Sequence, residues 1–273
     1  MWHGRPLVDD PDVSGGLIVA EWVDLEPTEG VINFGPIDQA MAPWVAAHKK
    51  VAIRVMTDAE GDASTPSWVT GNTVAEPARE HGGTAPVFWD PDFLSAYNQF
   101  VEALAAHYDG NPSVAWVQAG LALDGEGNIE SSASYLPSLW DPKGFTDSVW
   151  SDTVAQILHM YTSAFKKTPI AAVPGQICQH AKPSVCQAAS VNQISALGVW
   201  LQDDGLKSTT THTNPNWRVH PLIEEQLQAT RVTGDSFTGE VNAAINVQAS
   251  YFIGFSSDIT NPANRSLLDQ VTK

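Results

Sequence analysis

Basic residues are scarce in this sequence. Lys and Arg number 14 against 31 Asp and Glu, a formal net charge of −17. Nucleic acids and anionic membranes are gripped by cations set against phosphates, so neither is an expected partner. The same field disfavours polyanionic glycans and favours a neutral sugar, although solubility alone accounts for the charge equally well. Long apolar runs are also missing. None approaches the roughly 20 residues that cross a bilayer, so membrane insertion is not expected. The opening MWHGRPLVDDPD lacks the basic-then-apolar pattern of a signal peptide. Cysteine occurs only twice, as Cys178 and Cys186 in ICQHAKPSVC. A disulfide between them would imply a secreted or extracellular chain, and two free thiols a cytoplasmic one. The C-x2-C and H-x3-H spacings of a zinc site are absent, so no metal is expected. No G-x-G-x-x-G or G-x4-G-K-[ST] loop follows a strand, and there is no G-x-S-x-G elbow. Dinucleotide-binding, P-loop and serine-hydrolase readings lose their support.

What remains is an alternation of strand-like and helix-like segments. GLIVAEWV (Gly16–Val23) and KKVAIRVM (Lys49–Met56) are apolar and β-rich, with Ile37, Met41, Trp44 and Val45 at helical spacing between them. A long polar loop runs from Thr57 to Trp89; its length marks it as functional or flexible. Phe93, Leu94, Tyr97, Phe100, Val101, Leu104 and Tyr108 form one apolar helical stripe, stopped by Asp-Gly-Asn-Pro. SVAWVQAGLAL (Ser113–Leu123) is too apolar to face water on either side, as in a parallel sheet. Val149 to Phe165 is helical. TPIAAVP, SALGVWLQ, ATRVTGDSF (Ala229–Phe237) and YFIGFSSDI supply the later strands. Repeated strand–helix alternation predicts α/β with a parallel sheet. Its 273 residues suit a single (β/α)8 TIM barrel, one domain over 1–273. The first βα unit would be atypical or abbreviated, its strand drawn from Met1–Val8. A doubly wound sheet is the alternative.

The segment EWVDLEPTEGVINFGPID, with HKKVAIRVM and the later PSW, resembles the second and third βα units of β-galactosidase-like barrels, glycoside hydrolase family 42 and its retaining clan. FWDPDFLSAYNQFVEALAAHYDGNPSVAWVQAGL resembles their next helix and strand, and LQDDGL their sixth strand. The resemblance implies a glycosidase acting by two carboxylates, without a cofactor, on a small or oligosaccharide substrate. A non-catalytic glycan-binding barrel is the alternative.

In that clan the proton donor follows strand four and the nucleophile ends strand seven. Counting Met1–Val8 as the first strand, these places fall on Glu126 in LDGEGN and on Glu240 or Asp235 in TGDSFTGE. Glu130 is a second choice for the acid. The clan sets Asn directly before the acid; here Gly125 stands there and Asn128 comes two places later. Glu26 belongs to a structural turn in the resembling enzymes. Arg54 ends a strand at the expected mouth, where it would either hold the nucleophile ionised or form a structural ion pair. Asp204 follows the sixth strand as a substrate-binding candidate. Ten tryptophans are many for this length. Trp22, Trp68, Trp89 and Trp200, with Trp140 and Trp217, fall at strand ends or loops where indole would stack on sugar C–H faces. Trp44 and Trp116 read as core. His212 and His220 flank a polar loop near the sixth strand.

Overall fold

The computed structural model describes residues 7–59, 64–75, 84–130 and 136–271. Seven strands form one parallel sheet: β1 (Gly15–Glu21), β2 (Lys50–Met56), β3 (Val114–Gln118), β4 (Ile170–Ala172), β5 (Trp200–Leu206), β6 (Leu222–Gln226) and β7 (Tyr251–Ile253). Spatial order follows chain order throughout, so the sheet winds in one direction. A doubly wound sheet would reverse direction at a switch point, and this one does not.

The sheet curls. Leu17, Ala52, Trp116, Ala171, Trp200, Ile223 and Ile253, one from each strand, pack into a single cluster on one face. Trp116 on β3 meets Tyr251 on β7 with ring centroids 4.8 Å apart. In a flat sheet strands four places apart would lie roughly 19 Å apart, so the contact exists only because the sheet closes toward a barrel. Side chains of alternate parity, such as Ile53, Val55, Val117 and Leu201, join the larger core beneath the helices. Strands β2, β3 and β4 are largely buried on both faces, which is why they read as continuous apolar runs.

The helices that cover the sheet begin where the sequence stops favouring extension. Helix α1 (Gly35–Ala46) starts on Gly-Pro, and α2 (Pro91–Tyr108) starts on a proline at its first position, with the Asp90 carboxylate accepting from the Asp92 N–H. The expected stripe of α2 is buried at Phe93, Tyr97, Phe100, Val101, Leu104 and Tyr108. Its terminal Asp109 accepts the N–H groups of Lys166, Lys167 and Thr168, tying α2 to the end of α3 (Asp147–Ala164). Two further helices, α4 (Pro183–Ala196) and α5 (Phe237–Asn246), cover later strands.

Two expectations about strands need correction or restriction. The seventh barrel strand is not Ala229–Ser236. That stretch holds a one-turn helix, Thr230–Thr233, a left-handed Gly234 and the N-cap of α5. The strand comes earlier, at Leu222–Gln226, and was hidden by its two adjacent glutamates. The expected first strand falls mostly on residues 1–6, outside the described residues; Leu7 and Val8 lie outside any strand. Within the long Thr57–Trp89 connection, Thr73–Ala75 and Thr84–Pro86 pair antiparallel.

Candidate active site at the carboxyl ends of the strands

Strand alternation divides the polar residues of the sheet. On the inner face lie Arg54 of β2, Gln118 of β3, Gln202 and Asp204 of β5, and Glu225 of β6, one layer above the aromatic plug of Trp116, Trp200 and Tyr251. Arg54 binds two neighbours. Its Nε donates to Gln118 Oε1 at 2.7 Å, and its Nη2 forms an ion pair with Glu225 Oε2. Gln202 Nε2 donates to the same Glu225 oxygen at 2.6 Å. Only 12% and 14% of the Arg54 and Glu225 side chains are exposed. Burial raises the Glu225 carboxyl above the usual range, opposed by the Arg54 charge and reinforced by Asp204. Burial works against the Arg54 cation, yet Glu225, Asp204 and Glu126 together outweigh it and raise its pKa.

Glu126 arrives from a tight turn after β3. Asp124 and Gly125 both take positive φ, 52° and 81°. A side chain at Gly125 would also crowd Gln118 and Arg54. Gln118 Nε2 donates to Gly125 O at 3.2 Å, so the arginine layer holds the turn directly. The Gly127 N–H donates to Val173 O at 3.0 Å, just past β4. A Cβ on Gly127 would overlap the Gly175 backbone, so the two loops meet at a place where only glycines fit. The glycines on either side of Glu126 therefore set its position. Asn128 Nδ2 donates to Glu126 Oε2 at 3.2 Å, while its Oδ1 accepts from the Gln176 N–H at 2.7 Å.

Asp204 completes the group. Burial, and then the neighbouring Glu126 carboxyl, raise its carboxyl well above the ordinary carboxylate range. Three carboxyl groups from three places in the chain thus surround one guanidinium.

Other sequence candidates lie elsewhere. Glu240 sits on α5, 1% exposed, accepting from Gln226 Nε2, which also donates to Asp258. Gln226 is on β6 with parity opposite to Glu225, so this network faces the helices. Asp235 is half-buried and accepts from Ser208 N and Ser236 N, a loop cap. Glu130 is buried and accepts from Leu136 N. Glu26 receives Trp22 Nε1 and Gly30 N, closing the turn after β1. Trp22 is fully buried among Trp68, Phe93, Tyr97 and Phe100 and presents no face to a ligand. Trp200 belongs to the plug at the amino end of its strand, opposite the rim. Trp140 is also fully buried. Trp217 is buried and stacks on His212 at 4.0 Å. Trp68 donates to Glu26 O and Trp89 to Lys143 O; both are half-buried. His220 reaches Ser195 O from the far end of that loop.

Glu225 was missed by sequence reasoning. The available signal was Leu-Ile before two glutamates: on a strand buried on both faces, one of the pair must turn inward. Its partner Glu224 faces outward with Asp203, and His212 Nε2 lies 2.6 Å from Glu224 and 3.5 Å from Asp203. Nε2 is hydrogen-bonded to Glu224, while Asp203 lies only within ion-pair range. Burial lifts Glu224 to about 7 there. Cys178 and Cys186 form a disulfide, Cα atoms 6.3 Å apart, that ties the segment before α4 to its first turn.

Residues 16–139 match the glycoside hydrolase family 42 model, described as Beta-galactosidase. That span contains the EWVDLEPTEG, HKKVAIRVM and FWDPDF motifs but not LQDDGL, and it ends beyond Glu126. No curated protein matches. Among solved structures, the catalytic domain of a beta-amylase from Paenibacillus polymyxa superposes with a TM-score of 0.65 at 12% identity, over 89% of this chain and 85% of that one. GH5_18 from Streptomyces cattleya in complex with GlcNAc aligns over 59% of this chain and 36% of its own, with 15% identity and a TM-score of 0.40. The beta-amylase domain supports a fold of TIM-barrel type.

Proposed function

We propose, on the premise that this chain carries a glycosidase barrel, that it hydrolyses a neutral β-linked glycoside with retention, using Glu126 as acid/base and Glu225 as nucleophile. The observation that carries this reading is the Arg54–Glu225 pair on the inner face, with Glu126 beside it at the rim. Glu225 is fixed by two donors, so its position is set before substrate arrives. Arg54 and Gln202 oppose the burial that would otherwise protonate it. As nucleophile it attacks the anomeric carbon while Glu126 gives its proton to the glycosidic oxygen, and the C–O bond breaks to leave a glycosyl ester. Glu126, now ionised, takes a proton from water, which attacks the ester and frees Glu225. Asn128 orients Glu126 through both steps. A neutral sugar fits the charge of the chain, because a carboxylate-bearing substrate would meet three acids and one arginine. An oxidising compartment fits the Cys178–Cys186 disulfide.

The test uses a panel of aryl β-glycosides with Glu126→Gln and Glu225→Gln. Each variant should lose at least about 1000-fold in kcat/KM, some 4 kcal/mol of transition-state stabilisation. NMR of the first-formed anomer should show retention. Undiminished hydrolysis by both variants would overturn the assignment. Saccharide binding without turnover in the wild type would leave a glycan-binding barrel instead.

A further inference from the structure

Asp203 and Glu224 stand side by side. They are register partners on β5 and β6, and both leave the sheet on the face opposite Glu225. Like charges set directly across paired strands repel. Burial sharpens the conflict, because the Glu224 side chain is 0% exposed and that of Asp203 only 17%. Among the described residues, His212 alone forms an ion pair with either. An imidazolium carries one positive charge, so two carboxylates remain one charge short. The shortfall also has an address: Glu224 Oε2 is buried and has no hydrogen-bond partner among the described residues. A buried carboxylate oxygen left in that way calls for a cation. We infer that Asp203, His212 and Glu224 form a site for a divalent transition-metal ion of the zinc type, on the outer wall of the barrel between β5 and β6. The inference is independent of the hydrolytic reading.

The donor set and its geometry agree. One ligand atom from each of the three lies within 4.8 Å of the others. Two ligands held about 2.1 Å from zinc at a tetrahedral angle stand about 3.4 Å apart, and Asp203 Oδ2 lies 3.5 Å from His212 Nε2. The His212–Glu224 contact is closer, 2.6 Å, as a hydrogen bond requires. Zinc takes the place of that proton, which passes to solvent, and the pair opens by about 1 Å or less. Two carboxylates and a neutral imidazole then balance a dication. One nitrogen among the donors selects zinc over calcium and magnesium, which prefer oxygen throughout. The ligands are held from behind. The Gly205 N–H donates to Asp203 Oδ1 at 3.0 Å and leaves Oδ2 toward His212. Trp217 stacks on the imidazole at 4.0 Å, with 15° between the planes, and fixes its orientation. A cavity of about 230 Å³, lined by Thr209, Thr210, Thr211, His212 and the exposed Arg218, provides a way in and room for a water as fourth ligand. No short ligand spacing in the sequence marks this set, because strand pairing assembles it. A bound ion clamps the loop that carries His212 to the strands that carry Asp204 and Glu225.

The experiment titrates the chelator-treated, tag-free full chain with ZnCl2 by calorimetry. One zinc per chain is expected, with a Tm that rises with zinc concentration. X-ray absorption of the zinc-loaded wild type should show a nitrogen and oxygen shell at about 2.0–2.1 Å with imidazole scattering; this readout needs no variant. Asp203→Asn and His212→Asn should each weaken zinc binding by about 100-fold or more. Asp203→Asn keeps the His212–Glu224 hydrogen bond, and circular dichroism checks that both variants fold. His107→Asn, which removes the other histidine–carboxylate pair, with Asp38, should bind zinc as the wild type does. Absence of stoichiometric zinc binding overturns the inference. So does a zinc shell without imidazole, undiminished binding by folded Asp203→Asn and His212→Asn, or loss of the zinc in His107→Asn. Calcium binding in preference to zinc would overturn the zinc-type assignment. Glycoside hydrolysis by any of these proteins bears only on the proposed function.

Discussion

Arg54 and Glu225 meet across the interior of the curled sheet, although their strands stand second and sixth in its order. The pair closes one side of the barrel mouth and fixes the charge on which the proposed chemistry depends.

Replacing Arg54 by Met would leave Glu225 buried without its cation. Removing one partner of a buried pair typically costs about 3–5 kcal/mol, so a Tm loss of several degrees is expected. The sign of the pH effect follows from the causes at Glu225. Arg54 lowers that pKa against burial, so its removal raises it further. The nucleophile must be ionised, so the acid limb of kcat/KM moves to higher pH. A limb that stays in place or moves lower would contradict the role given to Arg54.

Gly127→Ala puts a methyl group into the Gly175 backbone. The loop carrying Glu126 must shift, and overpacking of this kind costs about 1–3 kcal/mol. Catalysis should suffer more than stability, because displacement of a catalytic group by about 1 Å can cost on the order of 100-fold. Kinetics and thermal unfolding of the same variant separate the two effects.

Glu240→Gln and Asp235→Asn are expected to keep kcat/KM within about threefold of wild type, since neither residue stands on the inner face. Their effects should appear in stability. Asp235→Asn weakens a loop cap held by Ser208 and Ser236, a change of about 1 kcal/mol. Loss of turnover in a folded Glu240→Gln protein would return that residue to the site.

Reduction of Cys178–Cys186 should lower stability by about 2–3 kcal/mol, the chain-entropy value for so short a loop. Their sequence separation is 8. Turnover at low temperature should persist, because the bridge leads into α4 and not into the arginine layer. Denaturant melts with and without reductant give the comparison.

Much of the fold was legible in the sequence because parallel strands buried on both faces must be apolar throughout. Gly16–Val23, Lys49–Met56 and Ser113–Leu123 show this plainly, and helix α2 carries its stripe openly. Leu222–Gln226 escaped the same test because two of its five residues are glutamates, each stabilised by a partner distant in sequence: Arg54 for Glu225 and His212 for Glu224. The run Ala229–Phe237, rich in Thr and Val, satisfied local β preference and formed no strand. The tryptophans erred in the other direction. Abundance near strand ends pointed to sugar platforms, yet Trp22 and Trp200 fill cores, the default fate of large apolar rings.

By itself the sequence determined the strand–helix alternation, the family resemblance through residue 139 and the turn that presents Glu126, because all three are written in local order. Only the tertiary structure decided that Glu225 and Asp204 are the carboxylates beside it. Which way a strand residue faces, and what charge waits across the barrel, depend on curvature and register, and these arise from contacts between segments far apart in the chain.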